Sequence, residues 1–212
     1  AGWHPDLAAN VVSPIPVGAD FVSAEFDNDI PPGRGRDNDP RDPGNAAGNN
    51  VFHGTHVAGT VAASATNQLG GTGAAFGSKL LPVRVLGEGG IGSSADLIDA
   101  IRWVGGSIPV KADVINLSLG GLPQITALQN AISDAVTNGV IIVGAAGNQS
   151  SSVPAYPAAA QGVFSVSAVD GGGRLASYSN FGSWIDLAAP GGDIRRDANL
   201  DGLADLVISA SG

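Results

Sequence analysis

Apolar positions fall into short continuous runs rich in Val, Ile and Leu, at residues 80–86, 114–119, 140–143, 163–169 and 185–189. Runs of this length without polar alternation predict strands buried on both faces. Between them the apolar spacing changes to three and four, which predicts helices over 53–64, 93–104 and 125–137. In the last, Ile125, Leu128, Ala131, Ile132 and Ala135 share one stripe, and Gly139 follows as a stop signal. Ser93 or Ser94 can cap the middle helix, with Asp96 in its first turn. Strands alternating with helices predict an α/β fold of three layers, a parallel sheet with helices on both faces. Residues 27–50 hold almost no large apolar side chain and predict one long surface loop. No repeat or linker interrupts the pattern, so residues 1–212 are expected to belong to one domain.

Composition narrows the function classes. Hydrophobic residues make up 43% and charged residues 14%, a globular balance and not a disordered one. The net charge of −9, without a basic stripe, disfavours nucleic acid and anionic membrane as partners. No apolar run approaches the ~18 residues of a membrane-spanning helix. The absence of cysteine excludes disulfides, thiolate metal sites and a thiol nucleophile. Methionine is absent too, at position 1 as elsewhere, so the sequence is expected to be cut from a longer one.

In open α/β sheets ligands gather where strands end and helices begin. Four segments there could carry chemistry. The first, His53-Gly54-Thr55-His56-Val57-Ala58-Gly59-Thr60, brings a histidine to the head of a helix of small residues. Imidazole titrates near neutrality, so His53 could transfer protons; alternatively His53 and His56 pack, or bind a metal from one helical face. The second, Asp113 to Gly121, runs a buried strand into a double glycine, whose backbone could pair with an extended peptide. The third, Val143-Gly144-Ala145-Ala146-Gly147-Asn148, ends a wall of small residues in an amide, the neutral donor that an oxyanion hole requires. The fourth joins Tyr156-Pro157-Ala158, the 176–182 stretch and Ala188-Ala189-Pro190-Gly191, each by itself a loop.

In this order, from His4-Pro5-Asp6-Leu7 to Ala189-Pro190-Gly191, the segments resemble the subtilisin-like serine proteases, the subtilase family. The resemblance implies a subtilisin-like fold, incomplete at both ends, and a secreted serine endopeptidase working through an acyl-enzyme. It implies that His53 is general base and then general acid, that His56 is a structural neighbour, and that Asn148 is the oxyanion-hole donor. Ser118, Leu119 and Gly120 would pair with substrate backbone, Gly90, Ile91 and Gly92 would face them, and Ala145, Ala146 and Gly147 would line the primary specificity pocket. The partner is then a polypeptide substrate, and the protein is expected to be an extracellular monomer. The family's triad aspartate belongs to an Asp-Thr-Gly or Asp-Ser-Gly motif and its nucleophile to Gly-Thr-Ser-Met. Neither motif occurs here, and Asp6, Asp20, Ser209 and Ser211 lack that context. The chain is therefore expected to be an internal fragment, inactive by itself.

Subtilases commonly bind calcium, which draws attention to the acidic loops. Asp197, Asn199, Asp201 and Asp205 set oxygen donors at intervals around Gly202, as in a calcium loop, with Ile208 where a bidentate Glu would complete an EF-hand. Asp37, Asp39 and Asp42 form a second acidic cluster, expected to be solvated because Arg34, Arg36 and Arg41 neutralise it. Asp6 and Asn67 match positions near a family calcium site. Two other classes compete. Gly87-Glu88-Gly89-Gly90-Ile91-Gly92 is a literal GxGxxG between strand and helix, yet the acid that should end the next strand is missing, since Asp113 begins it. A subtilase-like protein that only binds peptides is the other, against which intact His53 and Asn148 argue.

Overall fold

The computed structural model describes residues 4–12, 18–29, 33–44, 52–106, 112–198 and 200–210. The chain divides into two compact units, Ala1–Ala100 with Ile208–Gly212, and Ile101–Val207.

In the first unit β1 (Ala19–Asp20) pairs in parallel with β2 (Val83–Arg84). The run predicted over 80–86 is broken at Pro82, which has no N–H to give to a ladder. Leu80 bridges to Val11 instead, with Leu80 N donating to Asn10 O at 2.7 Å and Val12 N to Leu80 O at 2.9 Å. Helix α1 (His53–Ala62) stops two residues short of the prediction, where Ala63 turns extended and its N–H bonds back to Gly59 O. Leu7, Ala63 and Ala210 form a small core, with Ala58 and Leu80 packed on it. The small residues of α1 matter at Gly59, where a Cβ would lie 2.8 Å from both the N and the Cβ of Ala210. At Gly54 a Cβ would meet nothing within 4 Å, so close packing does not explain that glycine.

Helix α2 (Ser94–Gly105) is capped as expected: Ser93 Oγ accepts the Asp96 N–H at 3.0 Å. The buried Asp96 carboxylate also takes Ser23 Oγ at 2.7 Å and Arg36 Nη2 at 2.7 Å, while Arg36 Nη1 reaches Asp99 at 2.7 Å. Of the three arginines in the acidic loop, Arg36 thus ties the loop to α2. Arg41 stays with Asp39, and Arg34 lies 3.9 Å from Asp37.

Arg84 is the least expected feature of this unit. Its side chain is 5% exposed and its guanidinium bonds Asp20, the Asn28 Oδ1 and Asp29 at 2.9 Å, with Asp27 at 3.4 Å. Its Nε has no partner among the described residues. Burial pushes the Asp20 carboxyl up to about 6, against the bonds from Val22 N and Arg84. A carboxyl with a higher pKa in the folded state stabilises the fold once it is protonated, so stability is gained as pH falls through about 6 and lost as it rises. Between pH 5 and pH 7 the unfolding free energy is expected to drop by about 1 kcal/mol from this group. Denaturant titration at both pH values measures the drop, and an equal drop in Asp20→Asn refutes its assignment to Asp20.

The second unit is a four-stranded parallel sheet in the order β3 (Val114–Leu117), β4 (Ile141–Ala145), β5 (Val163–Val169), β6 (Leu187–Pro190). Strand β5 and helix α3 (Thr126–Thr137) match their predicted runs to within one residue, and Gly139, with φ of 82°, ends the helical turn. Strand β4 continues past Val143 because Gly144 fits where a Cβ would come within 2.9 Å of Ala158 Cα. Strand β6 starts late because Asp186 is held by Ser165: Ser165 N and Oγ donate to its carboxylate at 2.9 and 2.8 Å. Helix α3 packs against β4 and buries Leu128, Ala131, Ile132 and Ala135. On the other side of the sheet Val114, Ile141, Phe164 and Leu187 are 49–55% exposed.

Candidate active site

In the first unit His53 opens α1 directly after Phe52, whose φ of 46° is left-handed and turns the chain sharply into the helix. The imidazole is exposed and makes no hydrogen bond to another described residue. His56, one turn on, is half-buried, and its carbonyl accepts Ser209 Oγ at 2.7 Å. Neither histidine belongs to a convergent set of metal ligands among the described residues.

Gly90, Ile91 and Gly92 follow β2 by way of a 3-10 turn at Glu88–Gly90. Here the amides serve the chain itself. Gly87 N donates to Ile91 O at 2.8 Å, Glu88 N to Phe26 O at 2.9 Å and Gly90 N to Gly87 O at 3.0 Å. A phosphate cradle needs such N–H groups free, so this glycine loop does not support dinucleotide binding.

In the second unit Leu117 of β3 is level with Gly144 of β4. Ser118–Leu119–Gly120 and Ala145–Asn148 therefore leave neighbouring strands at the same, carboxyl, end of the sheet, where sheets of this class place their ligands. Beyond Leu117, residues 118–120 join no strand and make no backbone hydrogen bond among the described residues. Ala145 is exposed, Ala146 buried and Gly147 half-buried with φ of 103°. Asn148 is exposed and its side-chain amide bonds no described residue, while its backbone N–H donates to Gln149 Oε1 at 3.1 Å. The sequence gives no hint of what fastens this loop, which is Asn180. Its Oδ1 accepts Gln149 N at 2.9 Å and Ser151 N at 3.1 Å, and its Nδ2 donates to Ala146 O at 2.8 Å. In the sequence Asn180 is one amide within Ser177-Tyr178-Ser179-Asn180-Phe181-Gly182, with nothing to mark it as a fastening.

The acidic loop after β6 turns its carboxylates onto its own amides. Asp197 accepts Asp201 N at 3.1 Å and Gly202 N at 2.9 Å, and Asp201 accepts Leu203 N at 2.9 Å. Asp205 is buried and accepts Gly171 N at 3.0 Å and Ala198 N at 3.2 Å; Asn199 lies outside the described residues. Among the described residues, the three carboxylates that converge are Asp20, Asp27 and Asp29, and Arg84 already fills their centre. Asp6 and Asn67 do meet: Asn67 Nδ2 donates to the buried Asp6 carboxylate at 2.8 Å. In the second unit, burial opposes ionisation of Asp170, but bonds from Arg174 N, Arg196 and Gly172 N bring its carboxyl down to about 2.

The subtilase family model matches residues 3–210, so the chain belongs to the subtilase family. It is 44% identical to an extracellular protease of Xanthomonas campestris pv. campestris, over 92% of this chain and 36% of that protein. It is 43% identical to a thermophilic serine proteinase of Bacillus sp. (strain AK1), over 90% of this chain and 41% of that protein. A solved protease structure from Pseudoalteromonas arctica superposes with a TM-score of 0.81 at 41% identity, covering 99% of this chain and 68% of that one. The fold is therefore the α/β subtilase fold. The chain spans about two fifths of the length of the two curated relatives.

Proposed function

We propose that the full-length polypeptide is a secreted serine endopeptidase, with residues 1–212 forming part of one catalytic domain and acting as a monomer on polypeptide substrates. The observation that carries the reading is the free, exposed Asn148 amide at the carboxyl end of β4, beside the unpaired backbone of Ser118–Gly120. Family membership and the two relatives, an extracellular protease and a thermophilic serine proteinase, support it.

In this mechanism His53 takes the proton of a serine hydroxyl as its oxygen attacks the peptide carbonyl, then passes that proton to the departing amine. Asn148 Nδ2 donates to the carbonyl oxygen as it gains negative charge, an interaction stronger in the transition state than in the bound substrate. Ser118, Leu119 and Gly120 hold the substrate backbone by strand pairing; Gly90, Ile91 and Gly92 would join them only after Gly90 N, Ile91 N and Ile91 O give up the bonds they make within residues 87–91. Ala145, Ala146 and Gly147 line the pocket for the residue before the cleaved bond. Small residues there leave room for a large apolar side chain. The nucleophile and the orienting carboxylate have no matching motif in this sequence. The test is His53→Ala in the full-length polypeptide, scored on a chromogenic peptide; undiminished hydrolysis overturns the reading.

Calcium belongs to the same proposal, held at Asp197, Asn199, Asp201 and Asp205. The donor chemistry suits a hard cation, and the carboxylates of Asp197 and Asp201 keep lone pairs for one beyond the loop amides they accept. Its role there is structural. Removing calcium with EDTA is expected to lower the unfolding temperature by several degrees, on the order of 1–3 kcal/mol of linked binding energy. An unfolding temperature identical in EDTA and in millimolar calcium contradicts this.

A further inference from the structure

We propose that Asn180 is a positioning residue for the oxyanion donor: its buried amide fixes the loop 146–151 that carries Asn148, and so sets the rate of the chemical step without touching substrate. The proposal rests on the reading of Asn148 as that donor.

Asn180 is 1% exposed and lies 31 residues beyond Gln149. Its bonds fall on both sides of Asn148. The Oδ1 accepts Gln149 N at 2.9 Å and Ser151 N at 3.1 Å; the Nδ2 donates to Ala146 O at 2.8 Å and to Gln149 Oε1 at 3.0 Å; the backbone N–H donates to Gly147 O at 3.0 Å. Two N–H donors meet one end of the amide and a carbonyl meets the other, so the orientation of the group is fixed by its partners. Gln149 Oε1 accepts the Asn148 N–H as well, which links the backbone of Asn148 through Gln149 to Asn180.

The loop needs such a fastening. Ser150 has φ of 50°, a left-handed conformation that a serine in a loose loop seldom keeps, whereas the φ of 103° at Gly147 is one a glycine takes freely. The approach is close enough that a Cβ on Gly147 would come within 2.7 Å of Asn180 Nδ2. The amide of Asn148 is thus left free while the backbone around it is held at four residues. An oxyanion donor acts by being in place before charge develops, so a loop that relaxes loses rate while ground-state binding persists.

The experiment is a double-mutant cycle in the full-length enzyme on a chromogenic peptide, with kcat and KM separated and unfolding temperatures recorded. Asn148→Ala is expected to lower kcat by about 10²–10³-fold. Asn180→Ala is expected to lower kcat by about 10-fold or more with KM nearly unchanged, and by less than about twofold once Asn148 is already alanine. An equal loss in both backgrounds, a loss carried by KM, or an undiminished kcat in Asn180→Ala overturns the positioning role. If Asn148→Ala itself leaves kcat unchanged, the donor reading fails first and takes the positioning role with it. Should Asn180→Ala not fold, Asn180→Asp passes through the same cycle under the same criteria, since it keeps the acceptor for Gln149 and Ser151 and sets a carboxylate oxygen against Ala146 O.

Discussion

Alanine in place of His53 is expected to lower kcat of the full-length polypeptide by about 10⁴–10⁶-fold, the scale on which removal of the base disables a serine triad. In the proposed mechanism the loss belongs to kcat, because His53 would engage the reacting hydroxyl and not the ground-state peptide. KM on a chromogenic peptide is expected to stay within a few-fold, since strand pairing at Ser118–Gly120 does not involve the imidazole. Stability is expected to change little: His53 is exposed and its side chain bonds no described residue. A variant with kcat within tenfold of wild type rules out His53 as the base.

Replacing Arg84 by methionine is expected to be the most destabilising single change in the first unit, at about 3–5 kcal/mol near pH 7.5. The methionine fills much of the volume but leaves Asp20, Asp27 and Asp29 without their cation. A buried pair earns little net stability when intact, because desolvation consumes most of its attraction. Removing one partner is costly because the other charges stay buried. The size of the loss is expected to depend on pH in a stated direction. As pH falls through about 6 Asp20 takes up a proton, fewer charges remain to be compensated, and the gap between wild type and Arg84→Met narrows. Denaturant unfolding at pH 5 and pH 7.5 gives both values. A loss under about 1 kcal/mol at the higher pH removes the account of the cluster given above.

Local periodicity carried most of the fold. Helix α3 follows from spacing alone, because it buries a stripe set by neighbours three and four residues away, whereas the strands, expected from continuous apolar runs to be buried on both faces, leave Val114, Ile141, Phe164 and Leu187 half exposed on one of them. The run at 80–86 hides a break at Pro82, where a missing N–H matters more than hydrophobicity. What spacing does not carry is any pairing across long stretches of chain. Arg84 meets acids 55 to 64 residues earlier, and Arg36 leaves its neighbouring aspartates for Asp96 and Asp99, about 60 residues away. Nothing in a run of charges says which will be solvated and which drawn under a sheet. The candidate site divides the same way. His53 and Asn148 are proposed from short sequence motifs, whereas the bonds of Asn180 exist only once the loop after β4 and the 176–182 stretch have folded together.

The half-exposed valine, isoleucine, phenylalanine and leucine on the sheet of the second unit also bear on handling the molecule. They sit in adjacent parallel strands, and β3 and β6 are edge strands of that sheet among the described residues. An apolar face beside open edges is the surface on which copies of a chain add strand to strand and come out of solution. Production of this stretch by itself is therefore expected to favour inclusion bodies over soluble monomer, and a fusion partner that masks the face is expected to raise the soluble fraction.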